Sequence, residues 1–208
     1  MNKNLTTLAL VIAISAMAAG CTTVADTSSA SAGNAVTGSG ILTLDAQREM
    51  DRGYDATLTR LYSSTPGSRE LVGKAHGVLV FPRVIAAGLI LGGQYGQGKM
   101  MVNGGVSAGY YRTTSGSVGL QAGAESRSLV FLFMTEEALT KFQASHGWAA
   151  GVDATVALLK AGANGAIDIN SARAPTMAFV LTGNGLMAGV SLEGTKLTKI
   201  EKTEVAVR

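Results

Sequence analysis

The chain has 208 residues, a formal net charge of +3, 27 glycines and a single cysteine. Its Lys and Arg residues are scattered among acids, which argues against the clustered basic face of a nucleic-acid-binding protein. One thiol excludes an internal disulfide and a multi-cysteine metal site, and the length suits one domain behind a targeting segment.

The first residues read as that targeting segment. Lys3 is the only early charge, an apolar run extends from Leu8 to Ala19, and small residues precede Cys21. This is the pattern of a signal peptide, and the run is too short for a permanent span, which wants about 20 apolar residues. Ala18-Ala19-Gly20-Cys21 resembles the bacterial lipobox, which implies that Cys21 is acylated and becomes the mature N-terminus; the alternative is an ordinary secreted protein with an incidental cysteine. Thr22 stands where an inner-membrane lipoprotein of a Gram-negative cell would carry aspartate, so outer-membrane sorting is expected. Cleavage removes Lys3 and acylation removes the new amine, leaving the mature chain close to neutral.

From Thr22 to about Gly40 the sequence is mostly Ser, Thr, Ala and Gly, too poor in large apolar groups to offset its ordering entropy. It reads as a tether. The expected organisation is a signal peptide over 1–20, the acylated cysteine and linker over 21–42, and one domain over 43–208.

Within the domain, Leu44, Met50, Tyr54, Leu58, Leu61 and Tyr62 recur mostly at three- and four-residue spacings among charged residues. The spacing predicts an amphipathic helix from Leu44 to Tyr62, capped by Thr43 and ended by Pro66-Gly67, with its apolar face either packed on the domain or in contact with membrane. Ser68 is the expected cap of a short helix through Lys74. Strands follow: Val78 to Phe81, stopping at Pro82; Val84 to Leu91, of uncertain type; Met100 to Val102; Val106 to Arg112; and Val118 to Ala124, where apolar residues alternate with Gly and Gln. Leu129 to Met134 is an unbroken apolar run expected to be a central strand. Thr135 should cap a helix through Ala144, with Glu136 and Glu137 in its first turn. Further strands are expected over Ala150–Leu158, Thr176–Leu181, Leu186–Leu192 and near Leu197–Val205. The glycines fall inside apolar segments, where they mark bends and close approaches. The fold class expected is α+β: an N-terminal amphipathic helix followed by a Gly-rich, mostly antiparallel, curled or barrel-like sheet with one further helix.

Apparent chemical motifs weaken on inspection. Gly93-Gln-Tyr-Gly-Gln-Gly98-Lys99 imitates a phosphate-binding loop, but Met100 replaces the Mg²⁺-binding hydroxyl and a strand follows where a helix N-terminus is needed. Gly183-Asn-Gly185-Leu-Met-Ala188 imitates a dinucleotide fingerprint and fails for the same reason. His76 and His146 have no companions at ligand spacing, and Asp168-Ile-Asn170 lacks the rest of a calcium loop. No cofactor, metal or catalytic residue is expected. An enzyme would need a pocket joining one of the histidines to a carboxylate or a serine.

From Leu71 to Leu197 the sequence resembles the SYLF family, also called Ysc84 or DUF500. The stretches that carry the resemblance are Gly185-Leu-Met-Ala-Gly-Val-Ser-Leu-Glu-Gly194, Lys74-Ala-His-Gly-Val-Leu-Val-Phe-Pro82, Ala87-Gly88 with Gly92-Gly93, and Leu129-Val-Phe-Leu-Phe-Met134 with the helix after it. The resemblance implies a non-enzymatic module that binds phospholipid, phosphoinositide-like head groups or another amphiphile. Eukaryotic members contact membranes largely through a basic N-terminal amphipathic helix. The counterparts here are Arg48, Arg52, Arg60 and Lys74, whose charge Asp45, Glu49, Asp51 and Asp55 nearly cancel. Actin binding, attributed to fungal members, does not carry over to a protein outside the cytoplasm. The competing expectation is a module that binds an envelope or host protein through strand edges and glycine-rich loops.

Overall fold

The computed structural model describes residues 44–88, 91–102, 105–118, 123–159, 167, 173–183, 185–186 and 191–201. The expected signal peptide, Cys21, the linker and the Thr43 cap lie outside these residues, as do Asp168 to Asn170 and Met187 to Val190.

Helix α1 spans Leu44–Ser64 and buries Met50, Tyr54, Thr57 and Leu61, a spacing of four, three and four that keeps one stripe against the sheet. It ends at Thr65-Pro66-Gly67, where the Thr65 N–H donates to the Leu61 carbonyl at 2.9 Å and Gly67 turns the chain with φ 86°. Helix α2 (Ser68–Lys74) follows. Ser68 was expected to cap it; Gly67 occupies the cap position without a side-chain bond, and the Ser68 hydroxyl instead donates to the Leu61 carbonyl at 3.2 Å, tying the two helices together.

Four long antiparallel strands come next: β1 (Gly77–Gly88), β2 (Leu91–Val102), β3 (Val106–Val118) and β4 (Gly123–Phe133). Pro82 does not stop the first. Its missing N–H is absorbed by a bulge: pairing with β2 jumps from Val80–Lys99 to Arg83–Gln97, and pairing with β4 from Phe81–Leu129 to Val84–Arg127. The Ser128 hydroxyl donates to the Pro82 carbonyl at 2.6 Å. The bulge crowds β2. A Cβ on Gly98 would overlap the Val80 carbonyl and lie 2.6 Å from Phe81 Cδ1, and one on Gly96 would lie 2.7 Å from Val84 Cγ2. Two glycines of the apparent phosphate loop are thus explained by close strand approach. The strand expected over Val118–Ala124 is not one element: Val118 ends β3 and Gly123 begins β4, and residues 119–122 lie outside the described residues.

Helix α3 (Glu136–Ala144) begins as expected, with Thr135 Oγ1 accepting from the Ala138 N–H at 3.2 Å. Of the strand expected over Ala150–Leu158 only β6 (Ala157–Leu158) forms; β5 (Trp148–Ala149) ends just before that range, and a turn follows β5. The turn is made by Gly151, at φ 83°, and by Asp153, whose carboxylate accepts from the Ala149 N–H at 2.5 Å. Strands β7 (Thr176–Thr182), β8 (Gly185–Leu186) and β9 (Lys196–Ile200) complete the described elements.

The strand path is β5-β9-β3-β2-β1-β4-β7-β6, with β8 paired to β7, and only β6–β7 is parallel. Laid flat, eight strands at roughly 4.8 Å spacing would hold β5 and β6 about 34 Å apart. The connection from Ala149 to Ala157 reaches at most about 29 Å fully stretched, and it contains the turn just described, so the sheet must curl. Its inner face is filled by Leu79, Phe81, Met100, Tyr111, Phe131, Phe133, Trp148 and Val180, packed with Leu139 and Phe142 of α3. Phe142 lies 4.6 Å from Phe133 and 5.6 Å from Trp148, centroid to centroid. The outer face, with Val78, Val80, Val130, Leu132, Met177 and Phe179, packs on Tyr54 and Leu61 of α1 and Leu71 of α2. The run Leu129–Phe133 is apolar at every position because this half of β4 is buried on both faces.

Candidate functional site

Where α1 and α2 lie on the lower outer face of the sheet they leave a cavity of about 290 Å³, lined by Tyr54, Val72, Gly73, Ala75, His76, Val78, Met101 and Gly105. This is near the lower end of the ~300–1,000 Å³ usual for small-molecule sites, and like them it is mainly apolar with a few polar groups. Burial, with Tyr62 and Asp55 nearby, raises the Tyr54 phenol above its ordinary range, so it remains a neutral hydroxyl at physiological pH. Among the described residues the lining contains neither serine nor carboxylate, so His76 meets no nucleophile or acid partner among them. His146 is exposed on the turn after α3. Among the described residues no three His, Cys, Asp or Glu side chains gather as a metal site, and no helix is long and apolar enough to cross a membrane.

The helix that walls the cavity is pinned by polar contacts as well as by its apolar stripe. Asp51 forms an ion pair with Lys99 of β2 at 2.9 Å and accepts from the Tyr110 hydroxyl of β3 at 3.1 Å. Burial and this bond to Asp51 push the Tyr110 phenol up to about 12. At the other end, Arg60 donates to the Ser128 hydroxyl at 2.6 Å. Between them Gly53 crosses the bulge at Pro82, where a Cβ would lie 2.6 Å from the ring. The absence of a side chain there sets how closely helix and sheet approach.

The four basic residues expected to meet lipid are all exposed, but they do not form one free cluster. Arg48 pairs with Asp45 at 3.2 Å and Lys74 with Glu70 at 2.6 Å, both on the helix surface. Arg60 is engaged with Ser128, and Arg52 makes no ion pair among the described residues. Lys74 is nearest the cavity, between the lining residues Gly73 and Ala75. The apolar face of α1 is packed on the sheet, in agreement with the structural alternative for that helix. Sequence reasoning missed Val72, Val78 and Met101 as cavity residues. They belong to three different elements, and only the tertiary fold brings them together.

Residues 114–206 match the sequence profile of the Ysc84 family, described as Las17-binding protein actin regulator. The match starts within β3 and covers β4, α3 and β5 to β9, the segment that holds the late glycine-rich stretch. No curated protein matches the chain. A family described by what it binds, an α+β fold of the expected kind, and a match over the second half of the domain converge: the chain carries a Ysc84 (SYLF) family segment.

Proposed function

We propose that this protein is an envelope lipoprotein, held at the outer membrane through acylated Cys21, whose domain binds an amphiphile in the cavity between the helices and the lower sheet. The observation that carries the binding reading is the cavity itself: Val72, Ala75, Val78 and Met101 supply apolar walls and Tyr54 a neutral hydroxyl. Its volume suits part of an acyl chain more than a whole phospholipid, leaving the head group at the rim beside Lys74 and His76. Membrane attachment needs nothing from the domain, because several acyl chains anchor a protein firmly at about 0.8 kcal/mol per buried CH₂.

Two experiments test the two halves. Metabolic labelling with a fatty-acid analogue should mark the protein and should fail in Cys21→Ser; label retained in that variant removes the anchor. For the cavity, the mature chain, residues 21–208, bearing Cys21→Ser is titrated with a fluorescent medium-chain fatty acid. Met101→Trp, which fills the space, should abolish saturable binding without lowering the unfolding midpoint, and undiminished binding would refute the site.

A second reading is supported by the description of the matched family, which names a protein partner. Here the domain would bind an envelope or host protein. Crosslinking from native membranes that yields a reproducible protein, lost on mutation of the glycine-rich loops, favours this reading over the first.

A further inference from the structure

The far end of the sheet carries a second surface. Strands β1 to β4 are 12, 12, 13 and 11 residues long, against a usual 5–6, and α1 crosses β1 at Pro82. Beyond that crossing Arg83, Ile85, Ala87, Gly93, Gly116, Ala124 and Ser126 are exposed, with Ile85 at 45%. The register arranges this outer face in three rows. Arg83, Gln97 and Arg112 adjoin in the first, with Thr198 of β9 beside Arg112; Ile85, Tyr95, Thr114 and Ser126 in the second, with the exposed Lys196 of β9 beside Thr114; Ala87, Gly93, Gly116 and Ala124 in the third, nearest the tip. Along β1 to β3 the order is basic, then aromatic and aliphatic, then small and smooth.

The charge of this region is one-sided. From Gly77 to Phe133 the bases are Arg83, Lys99, Arg112 and Arg127, and the only acid is Glu125. Lys99 is neutralised by Asp51. The three arginines form no ion pair among the described residues, whereas Arg48, Lys74 and Lys141 each do. Arg127 lies on the inner face at the same level, since it pairs in register with Val84. It donates to the neutral Gln94, and its buried Nε–H has no acceptor among the described residues. Glu125 is exposed two residues closer to the tip.

We infer that this end of the sheet docks on an anionic phospholipid surface, with the small-residue row entering the bilayer interface and the arginines at the level of the phosphates. The dimensions fit. Four residues separate Arg83 from Ala87, about 13 Å of strand, and interfacial elements bury roughly 5–10 Å. Guanidinium groups bind phosphate oxygens through paired N–H donors, and Tyr95 lies in the intermediate row where an amphipathic ring meets head groups. An acidic protein would satisfy the arginines but would leave unused the small-residue row ahead of them. The inference rests on the membrane reading above but not on the cavity, which lies on the other side of α1.

The test uses the mature chain, residues 21–208, bearing Cys21→Ser and vesicles of phosphatidylcholine with or without phosphatidylglycerol. The parent should bind only the anionic vesicles, and less at high salt. Replacing Arg83, Arg112 and Arg127 together by Gln should weaken binding on the order of a hundredfold at low salt, taking each charge near an anionic surface at about fivefold. Replacing Arg48, Arg52, Arg60 and Lys74 should weaken it much less. An environment-sensitive dye on Ile85→Cys, the sole thiol in that chain, should shift to the blue on binding; this second readout decides if the triple variant misfolds. Met101→Trp should leave vesicle binding intact, so failure of the cavity and failure of the tip are separable. The inference is overturned if no vesicle binds, if only an acidic protein binds, if the triple variant binds like the parent, or if the dye does not respond.

Discussion

Replacing Gly53 by alanine tests how α1 sits on the sheet, because two well-understood effects oppose each other there. Glycine in a helix interior costs roughly 1 kcal/mol relative to alanine, so the substitution should stabilise α1 by about that much if nothing else changed. The new Cβ, however, would stand 2.6 Å from both Cβ and Cγ of Pro82, whereas carbon atoms settle at about 3.5–4.0 Å. Helix or strand must yield by about 1 Å. Neither does so freely: Met50 and Leu61 are buried, Asp51 is tied to Lys99, and the Pro82 ring sits in a bulge held by Ser128. Overpacking of this kind costs about 1–3 kcal/mol, which cancels or exceeds the helix gain. Gly73 in α2 has nothing within 4 Å of its position, so Gly73→Ala takes the gain alone. Urea unfolding should rank Gly73→Ala above the parent and Gly53→Ala about 1–3 kcal/mol below Gly73→Ala. Equal stability of the two variants would refute the claim that glycine at 53 sets the distance between helix and sheet.

Three further outcomes are expected. Gly98→Ala should destabilise by about 2 kcal/mol or more, since its Cβ would meet the Val80 carbonyl; unfolding of Gly93→Ala, whose Cβ would lie 3.8 Å from the Ser115 carbonyl, is the control. Thr135→Ala should cost about 1 kcal/mol through loss of the α3 cap, seen as a lower urea midpoint with unchanged slope. Tyr110 titrates at about 12 in the folded chain and near 10 when unfolded. The stability it contributes is therefore complete below pH ~10 and is lost as pH rises through about 12; Tyr110→Phe should flatten the stability profile in that window, and parallel profiles would disprove the linkage.

What could be read in the sequence depended on whether the signal was local. The face of α1, the Thr135 cap and the central position of Leu129–Phe133 were legible because period, cap chemistry and two-sided burial leave marks in consecutive residues. Pro82 was misread because a bulge is set by neighbouring strands, including the Ser128 bond to its carbonyl. Ala150–Leu158 was misread because its apolar residues flank Gly151 and Asp153, whose turn outweighs the strand preference. The glycines from 93 to 98 resembled chemistry, whereas at 96 and 98 their cause lies on β1. The cavity and the three-row tip were invisible in one dimension, since each draws on elements far apart in the chain. The lone-acid composition of Gly77–Phe133 was open to view, but only the register gave its arginines a common level.

The place of β9 has a consequence for the order of events during synthesis. This strand is the last in the chain to be described, yet it lies inside the path, between β3 and β5. Until Lys196–Ile200 emerge, the edge of β3 from Tyr110 to Thr114 has no partner, and β5 has nothing to join. A nascent chain would carry an open strand edge for more than eighty residues of growth, the kind of edge that captures other chains. The sheet is therefore complete only after Ile200 has been made, and whatever accompanies the chain until then must shield that edge.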